Sequence, residues 1–272
     1  MTELRDSLCL RRLLACVYPF MPQRIAANLA QWWLRLSPEQ DFELFGRMPA
    51  VRGLVVDVGA NRGHSAIAVL RNTRRLKVLS LEPNRSLKWA LLAIKLLHPI
   101  RFSFRLVGAG DERSTRLLQI PLSPGYDLST QASLSPGEFD KWWVRERLQE
   151  SGHNPQSSDA FRRITTSVIT LDSLGLAPDV IKIDTEGWER QVLKGALQTL
   201  RDHLPAILIE VNDAEAWIPM LKELGYHFYR YDAKGKSMNI CDPPQGTLNL
   251  WCLHRAQKGE FADSLRDLLQ LS

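Results

Sequence analysis

The sequence predicts an α/β fold, a seven-stranded, mostly parallel sheet with helices on both faces. Three observations predict it. Apolar, β-branched runs alternate with helical periodicity from residue 54 onward. The first run, Leu54-Val55-Val56-Asp57-Val58, turns through Gly59 and Gly63 into a helical pattern near His64. Acids stand at the carboxyl ends of the runs, at Glu82, Asp184 and Glu210. In open α/β sheets that edge is where ligands bind.

The turn after the first strand narrows the ligand. Glycine permits positive φ, and its missing side chain lets a ligand lie against the backbone. The free N–H groups of the next helix add donors for polar atoms. A dinucleotide fingerprint reads G-x-G-x-x-G, whereas Gly59-Ala60-Asn61-Arg62-Gly63 is G-x-x-x-G with Asp57 two residues before it. That pattern resembles the first motif of S-adenosylmethionine-dependent methyltransferases. The resemblance implies that Gly59, Asn61 and Gly63 pass under the cofactor's amino-acid portion. Asp57 then acts on its ammonium group, directly or through water. On this reading Gly59→Val blocks the cofactor and leaves the fold intact. The alternative is a glycine turn that only closes a strand–helix packing.

The elements follow in order. After a helix over 65–70, a second strand at 77–82 ends in Glu82, with Pro83 and a capping Asn84 behind it. A carboxylate there can accept from both hydroxyls of a ribose, although an acid can also favour the next helix dipole. The helix over 84–98 is apolar almost all round and is expected to be well buried, and Pro99 ends it. A third strand at 101–107 reaches Gly108-Ala109-Gly110-Asp111. In a methyltransferase-like sheet, the backbone of Val107 and Gly108 would read the adenine edge.

Alternation stops between about 121 and 163, where Pro, Ser and Gly are frequent. A loop-rich insertion of this length suits a lid. Its Trp142-Trp143 pair, beside Lys141, Arg145 and Arg147, is a candidate to stack on a sugar or another planar acceptor surface. An accessory strand follows at 164–171, then core strands at 179–184, 206–212, 226–231 and 248–254. The last two suggest an antiparallel hairpin. Helices are expected from Thr185 to about Leu200, over 215–224, and as a closing amphipathic helix over 257–271.

Composition sets the outer limits. With 272 residues, 44% hydrophobic and 24% charged, the chain suits one large α/β domain, here 51–256, with appendages at 1–50 and 257–272. A net charge of +5 from scattered basic residues does not indicate a nucleic-acid partner. Cys9, Cys16, Cys241 and Cys252 show no C-x-x-C spacing, which points to unpaired thiols in a reduced, cytoplasmic setting. No apolar run reaches the roughly 18 residues that span a bilayer. At the N-terminus Leu4, Leu8, Cys9, Leu13, Leu14 and Val17 share a helical face, with Arg5, Arg11 and Arg12 off it. Such a helix can rest on an anionic membrane surface. The preferred alternative is packing on the domain or in a homodimer contact.

Further motifs make the resemblance specific. Asp57-Val58-Gly59-Ala60-Asn61-Arg62-Gly63, Leu81-Glu82-Pro83, Thr170-Leu171-Asp172-Ser173-Leu174, Lys182-Ile183-Asp184-Thr185-Glu186-Gly187-Trp188-Glu189 and Ile209-Glu210 fall in one order. Together they resemble the FkbM family of methyltransferases over about 53–231. The resemblance implies a class I methyltransferase (Rossmann-like) fold, S-adenosyl-L-methionine as cofactor and, usually, O-methylation of a sugar or natural-product hydroxyl. His64 departs from the usual hydrophobic or branched residue after the first motif and puts a polar group near the cofactor tail and acceptor.

O-methylation requires an aligned oxygen nucleophile and removal of its proton by a base or a metal. Asp184, Glu186 and Glu210 are the catalytic candidates, with Asp184 also beside the cofactor. Asp184, Glu210 and Asn212 are oxygen ligands that would suit a hard divalent cation. Glu189 is expected to stabilise a helix N-terminus instead. The expected partner is a hydroxyl of a saccharide, glycolipid or secondary metabolite. The competing readings are an N-methyltransferase on protein or nucleic acid and a non-catalytic nucleotide-binding scaffold.

Overall fold

The computed structural model describes residues 40–269, apart from 49, 124–125, 128–130, 136, 142–144, 147–148, 150–159 and 242–246. The expected N-terminal helix, Trp142, Trp143, Cys9 and Cys16 therefore lie outside the described residues. The chain runs through β1 (Arg52–Val58), β2 (Arg75–Leu81) and β3 (Phe102–Arg105). It then leaves for β4 (Gly108–Ala109), β5 (Ser114–Ser123), β6 (Tyr126–Asp127) and β7 (Phe161–Ile169). It returns in β8 (Val180–Ile183) and β9 (Ala206–Glu210) and closes with β10 (Tyr226–Asp232), β11 (Ser237–Ile240) and β12 (Asn249–His254).

The main sheet has eight strands in the order β11-β10-β12-β9-β8-β1-β2-β3. From β3 through β9 the pairs are parallel, whereas β12, β10 and β11 are antiparallel. The expected hairpin is present, and β11 is an eighth strand beyond the seven that periodicity predicts. Its segment is four residues long, with only Met238 buried, too short to show a periodicity. From β1 the chain moves outward on one side to β2 and β3, then on the other to β8 and β9. The carboxyl ends of β1 and β8 mark the switch point of an open α/β sheet.

Both faces of the parallel strands are covered, as continuous apolar runs require. Val55, Val78, Val180 and Leu208 meet α1 (Glu43–Gly46), α2 (His64–Asn72), α3 (Lys88–Leu97) and α7 (Glu260–Leu269). Val56, Val58, Ile181, Ile183, Ile207 and Ile209 meet α4 (Glu189–Lys194), α5 (Leu197–His203) and α6 (Ile218–Glu223). Burying each such side chain contributes roughly 1.5–3 kcal/mol.

Two expectations change. The helix over 84–98 is not buried all round. Leu91 and Ile94 are fully buried, but Trp89 is 62% and Leu96 60% exposed. The helix packs beside the edge strand β3, which offers a partner to one side only. The stretch expected to be loop-rich from 121 begins inside a strand. β5 and β7 pair antiparallel from Ser114↔Val168 to Pro121↔Phe161, in a second sheet of order β4-β7-β5-β6. Only Leu118 and Ile120 of β5 are deeply buried in a clear alternation, and Pro121 argued against a strand.

Candidate active site

The site is built from the carboxyl ends of β1, β2, β8 and β9. Gly59 leaves β1 at φ +77°, and its N–H and that of Ala60 both donate to the Leu81 carbonyl. A Cβ on Gly59 would lie 1.7 Å from the Asp184 carbonyl oxygen. The β1 and β8 turns therefore touch at this point, and glycine is required by the neighbouring backbone. Gly63 (φ +83°) faces elsewhere: a Cβ there would meet Ile94 Cδ1 at 2.3 Å, so it lets α3 approach.

Glu82 ends β2 almost fully buried, its two oxygens accepting from the Asn61 N–H at 2.6 Å and the Asn84 N–H at 2.7 Å. Burial pushes its pKa up to about 7, against the pull of those two donors. The carboxylate therefore braces the glycine turn, a role that its place in the sequence does not show. Each oxygen has a lone pair to spare toward the cavity.

One row across the sheet is polar. Asp57 is in register with Ser80 on one side and Lys182 on the other. Ser80 Oγ donates to Asp57 Oδ2 at 2.8 Å, and Lys182 Nζ lies 3.7 Å from Asp57 Oδ1. Lys182 also donates to Asp184 Oδ2 at 3.0 Å. Burial raises the Asp57 pKa, opposed chiefly by the Lys182 ammonium. Asp57 lies below the cavity wall, and Lys182 is the cation that connects it to Asp184.

On the far side, carboxylate oxygens of Asp184, Glu186 and Glu210 lie within 4.8 Å of one another. Burial, then the charges of Asp184 and Glu186, pushes the Glu210 pKa up to about 10. The protonated form of Glu210 is therefore favoured. Asn212 adjoins this set, its Nδ2 donating to Glu210 Oε2 at 2.6 Å. Glu186 sits at φ +51°, with its carbonyl accepting from Ser133 Oγ at 2.6 Å. His64 opens α2 at the cavity, its pKa lowered by burial first and then by Arg62 and Lys182.

Glu189 has the structural role expected of it. Its Oε1 accepts from the Thr185 N–H, Thr185 Oγ1 and the Gly187 N–H, at 3.0, 3.0 and 3.2 Å. Burial raises its pKa from 4.5 to about 7 despite these donors. Below pH 4.5 the group is protonated in both folded and unfolded chains and costs nothing. Between 4.5 and 7 only the unfolded chain releases the proton, so stability falls as pH rises. Glu189→Gln keeps the accepting oxygen and cannot ionise. It is expected to stabilise the protein by roughly 3 kcal/mol at pH 8 and by little at pH 4.5. Thermal melts of both proteins across that range check this. A difference independent of pH would assign the bonds, not the proton, as the cause.

The cavity is lined by Gly59, Asn61, His64, Glu82, Gly108, Asp184, Glu186 and Glu210, all named from sequence. Asp57, Gly63 and Val107 are not in its wall. Lys182, Thr185, Ala132 and Leu134 are wall residues that sequence reasoning missed. Lys182 carried a signal, a lysine within an otherwise apolar strand. Ala132 and Leu134 carried none. They reach the cavity because Ser133 pairs with Gln119 of β5 and Glu138 packs against Gly187.

A family model described as the methyltransferase FkbM domain matches residues 57–228. The chain belongs to the FkbM methyltransferase family. The matched span holds every cavity residue named above. Among solved structures, the FkbM chain is similar to the methyltransferase FkbM from Methylobacillus flagellatus KT. Identity is 18% and the TM-score 0.46, covering 74% of this chain and 43% of that one. The match thus spans less than half the length of that relative. The FkbM chain is also similar to a precorrin-6y C5,15-methyltransferase from Geobacter metallireducens GS-15, with 10% identity and TM-score 0.40, covering 79% and 85% of the two chains. A SAM-dependent O-methyltransferase from Thermotoga maritima matches with 9% identity and TM-score 0.39, covering 81% and 66%. No curated protein matches. The FkbM chain carries an α/β fold with a mixed, mostly parallel sheet.

Proposed function

We propose that the protein is an S-adenosylmethionine-dependent O-methyltransferase whose acceptor is a hydroxyl of a saccharide, glycolipid or secondary metabolite. The observation that carries this reading is the switch-point cavity, in which Glu82, Asp184, Glu186 and Glu210 converge in an FkbM-family chain. The donor set fits a cofactor that carries a sulfonium and an ammonium. The wall is rich in acids, and Glu82 keeps accepting capacity for ribose hydroxyls. Glu82, Asn61 and the backbone at Gly59 and Gly108 would hold the cofactor, and Asp57 would act through Lys182. Bound there, S-adenosylmethionine supplies an already activated methyl group.

The chain's own residues then have to orient the acceptor and take its proton. Asp184, held by Lys182 at Oδ2, orients the hydroxyl and accepts its proton. Asp184, Glu186 and Glu210 would hold a divalent cation, which would make that hydroxyl more acidic. The turn after β8 reads Asp184-Thr185-Glu186-Gly187 where an Asn-Pro-Pro-Tyr-like tetrapeptide would favour nitrogen methylation. A cytoplasmic setting belongs to the same reading, since neither Cys241 nor Cys252 is in a disulfide. No helix among the described residues is long and apolar enough to cross a membrane.

Titration calorimetry with S-adenosylmethionine, S-adenosylhomocysteine and NAD tests the reading. The two sulfur cofactors are expected to bind and NAD is not. Glu82→Ala is expected to weaken S-adenosylhomocysteine binding by roughly tenfold to a hundredfold, the scale of charge-assisted hydrogen bonds lost from a buried acceptor. Since Glu82 also braces the glycine turn, Glu82→Gln and a thermal melt accompany it. NAD binding without the sulfur cofactors, or wild-type affinity in a folded Glu82→Ala, would overturn the assignment.

A further inference from the structure

The helix Lys88–Leu97 and the turn after it present an apolar stripe to solvent. Trp89 and Leu96, at i and i+7 of the helix, are 62% and 60% exposed, and Ile100, in the turn that follows, is 84% exposed. Leu92 and Ala93 are half-buried between them, while Leu91 and Ile94 hold the other side to Phe102. Such a stripe is unusual on a surface that meets only water.

The charge of this stretch of chain is one-sided. Between residues 71 and 107 the chain carries Arg71, Arg74, Arg75, Lys77, Arg85, Lys88, Lys95, Arg101 and Arg105. The one acid in that stretch is Glu82, which is buried in the site. Lys88 Nζ lies over the Trp89 ring, 5.7 Å from its centroid. Lys95 caps the helix through the Pro99 and Phe102 carbonyls.

We propose that this face docks on an anionic lipid surface, with Trp89, Leu96 and Ile100 entering the headgroup–acyl boundary and the basic residues meeting the headgroups. Tryptophan and long basic side chains favour that boundary, and each basic group near an anionic leaflet adds attraction. Two other occupants fit less well. A second copy would press two basic faces together, and like charges across an interface are repelled. The N-terminal stretch 1–36 carries five arginines against Glu3 and Asp6, so it would meet the same repulsion. Its composition suits the same lipid surface as the helix. The proposal is read by binding alone and stands whether or not the methyl-transfer reading does.

The test is co-sedimentation of the full chain with phosphatidylcholine vesicles, with and without phosphatidylserine. Binding is expected to the anionic vesicles, and to fall at least tenfold on neutral vesicles or in high salt. Trp89→Ser with Leu96→Ser and Ile100→Ser is expected to lose roughly tenfold or more, and Arg85→Glu with Lys88→Glu a similar amount. All five residues are exposed, and an unchanged melting temperature confirms the fold of each variant. Wild-type protein that stays in the supernatant overturns the proposal. So does vesicle binding unchanged in both variants, which would place the contact in another segment. A variant that changes oligomeric state while still binding vesicles would assign the stripe to a second copy.

Discussion

Asp184→Asn is expected to lower methyl transfer by roughly a hundredfold or more, the scale of losing a positioned base, while cofactor binding survives. The substitution keeps the shape of the side chain. Lys182 can still donate to the remaining amide oxygen, and the Asp184 N–H to the Val58 carbonyl is untouched. What is lost is a charge at the point where the β1 and β8 turns meet, beside Glu186 and Glu210. Steady-state turnover and calorimetry on the same sample separate the two effects. A chelator separates the two forms of the chemistry. If a cation activates the hydroxyl, wild-type activity falls on chelation and returns with magnesium or manganese. It then rises with pH, because the cation competes with the proton that burial and the charges of Asp184 and Glu186 favour on Glu210. A general base is indifferent to the chelator. Full activity in Asp184→Asn would sink both forms and move the search to His64 and Glu210.

Gly59→Val is expected to destabilise the fold by roughly 3–5 kcal/mol, contrary to a reading in which it only blocks the cofactor. Two costs add. The position is held at φ +77°, where a β-branched residue is strained, and its Cβ would lie 1.7 Å from the Asp184 carbonyl. That oxygen belongs to the backbone at the end of β8, so no rotamer change relieves the overlap. Relief requires β1 and β8 to part and disturbs the Gly59 and Ala60 bonds to Leu81. Thermal melts should show a fall of about ten degrees or more for Gly59→Val. Gly59→Ala, with the same first carbon and no branch, should show most of it. A Gly59→Val protein that melts like wild type would mean that the two turns are not in contact.

The local chemistry of the site is legible in the order of residues alone. The glycine turn after β1, Glu82 after a run of strand residues, and Asp184, Glu186 and Glu210 at or beyond strand ends each show their place at the site within a few residues of chain. Backbone conformation and strand ends are local properties, and hydrophobic period reports them directly. The parallel core is legible for the same reason, because strands buried on both faces read as unbroken apolar runs.

Tertiary structure alone decided which of these residues touch. Asp57, Ser80 and Lys182 form a row only because β2, β1 and β8 pair in one register, bringing together positions from three separate strands. The partner of Gly59 is the carbonyl of Asp184, far along the chain, and Gly63 meets Ile94 of α3. The same holds for β5, whose pairing with β7 spans the insertion, and for α3, whose apolar circumference conceals which side finds a neighbour. A segment's own pattern states what it needs to bury or bond. Which distant segment meets that need is fixed by strand order and register, and these are properties of the assembled chain.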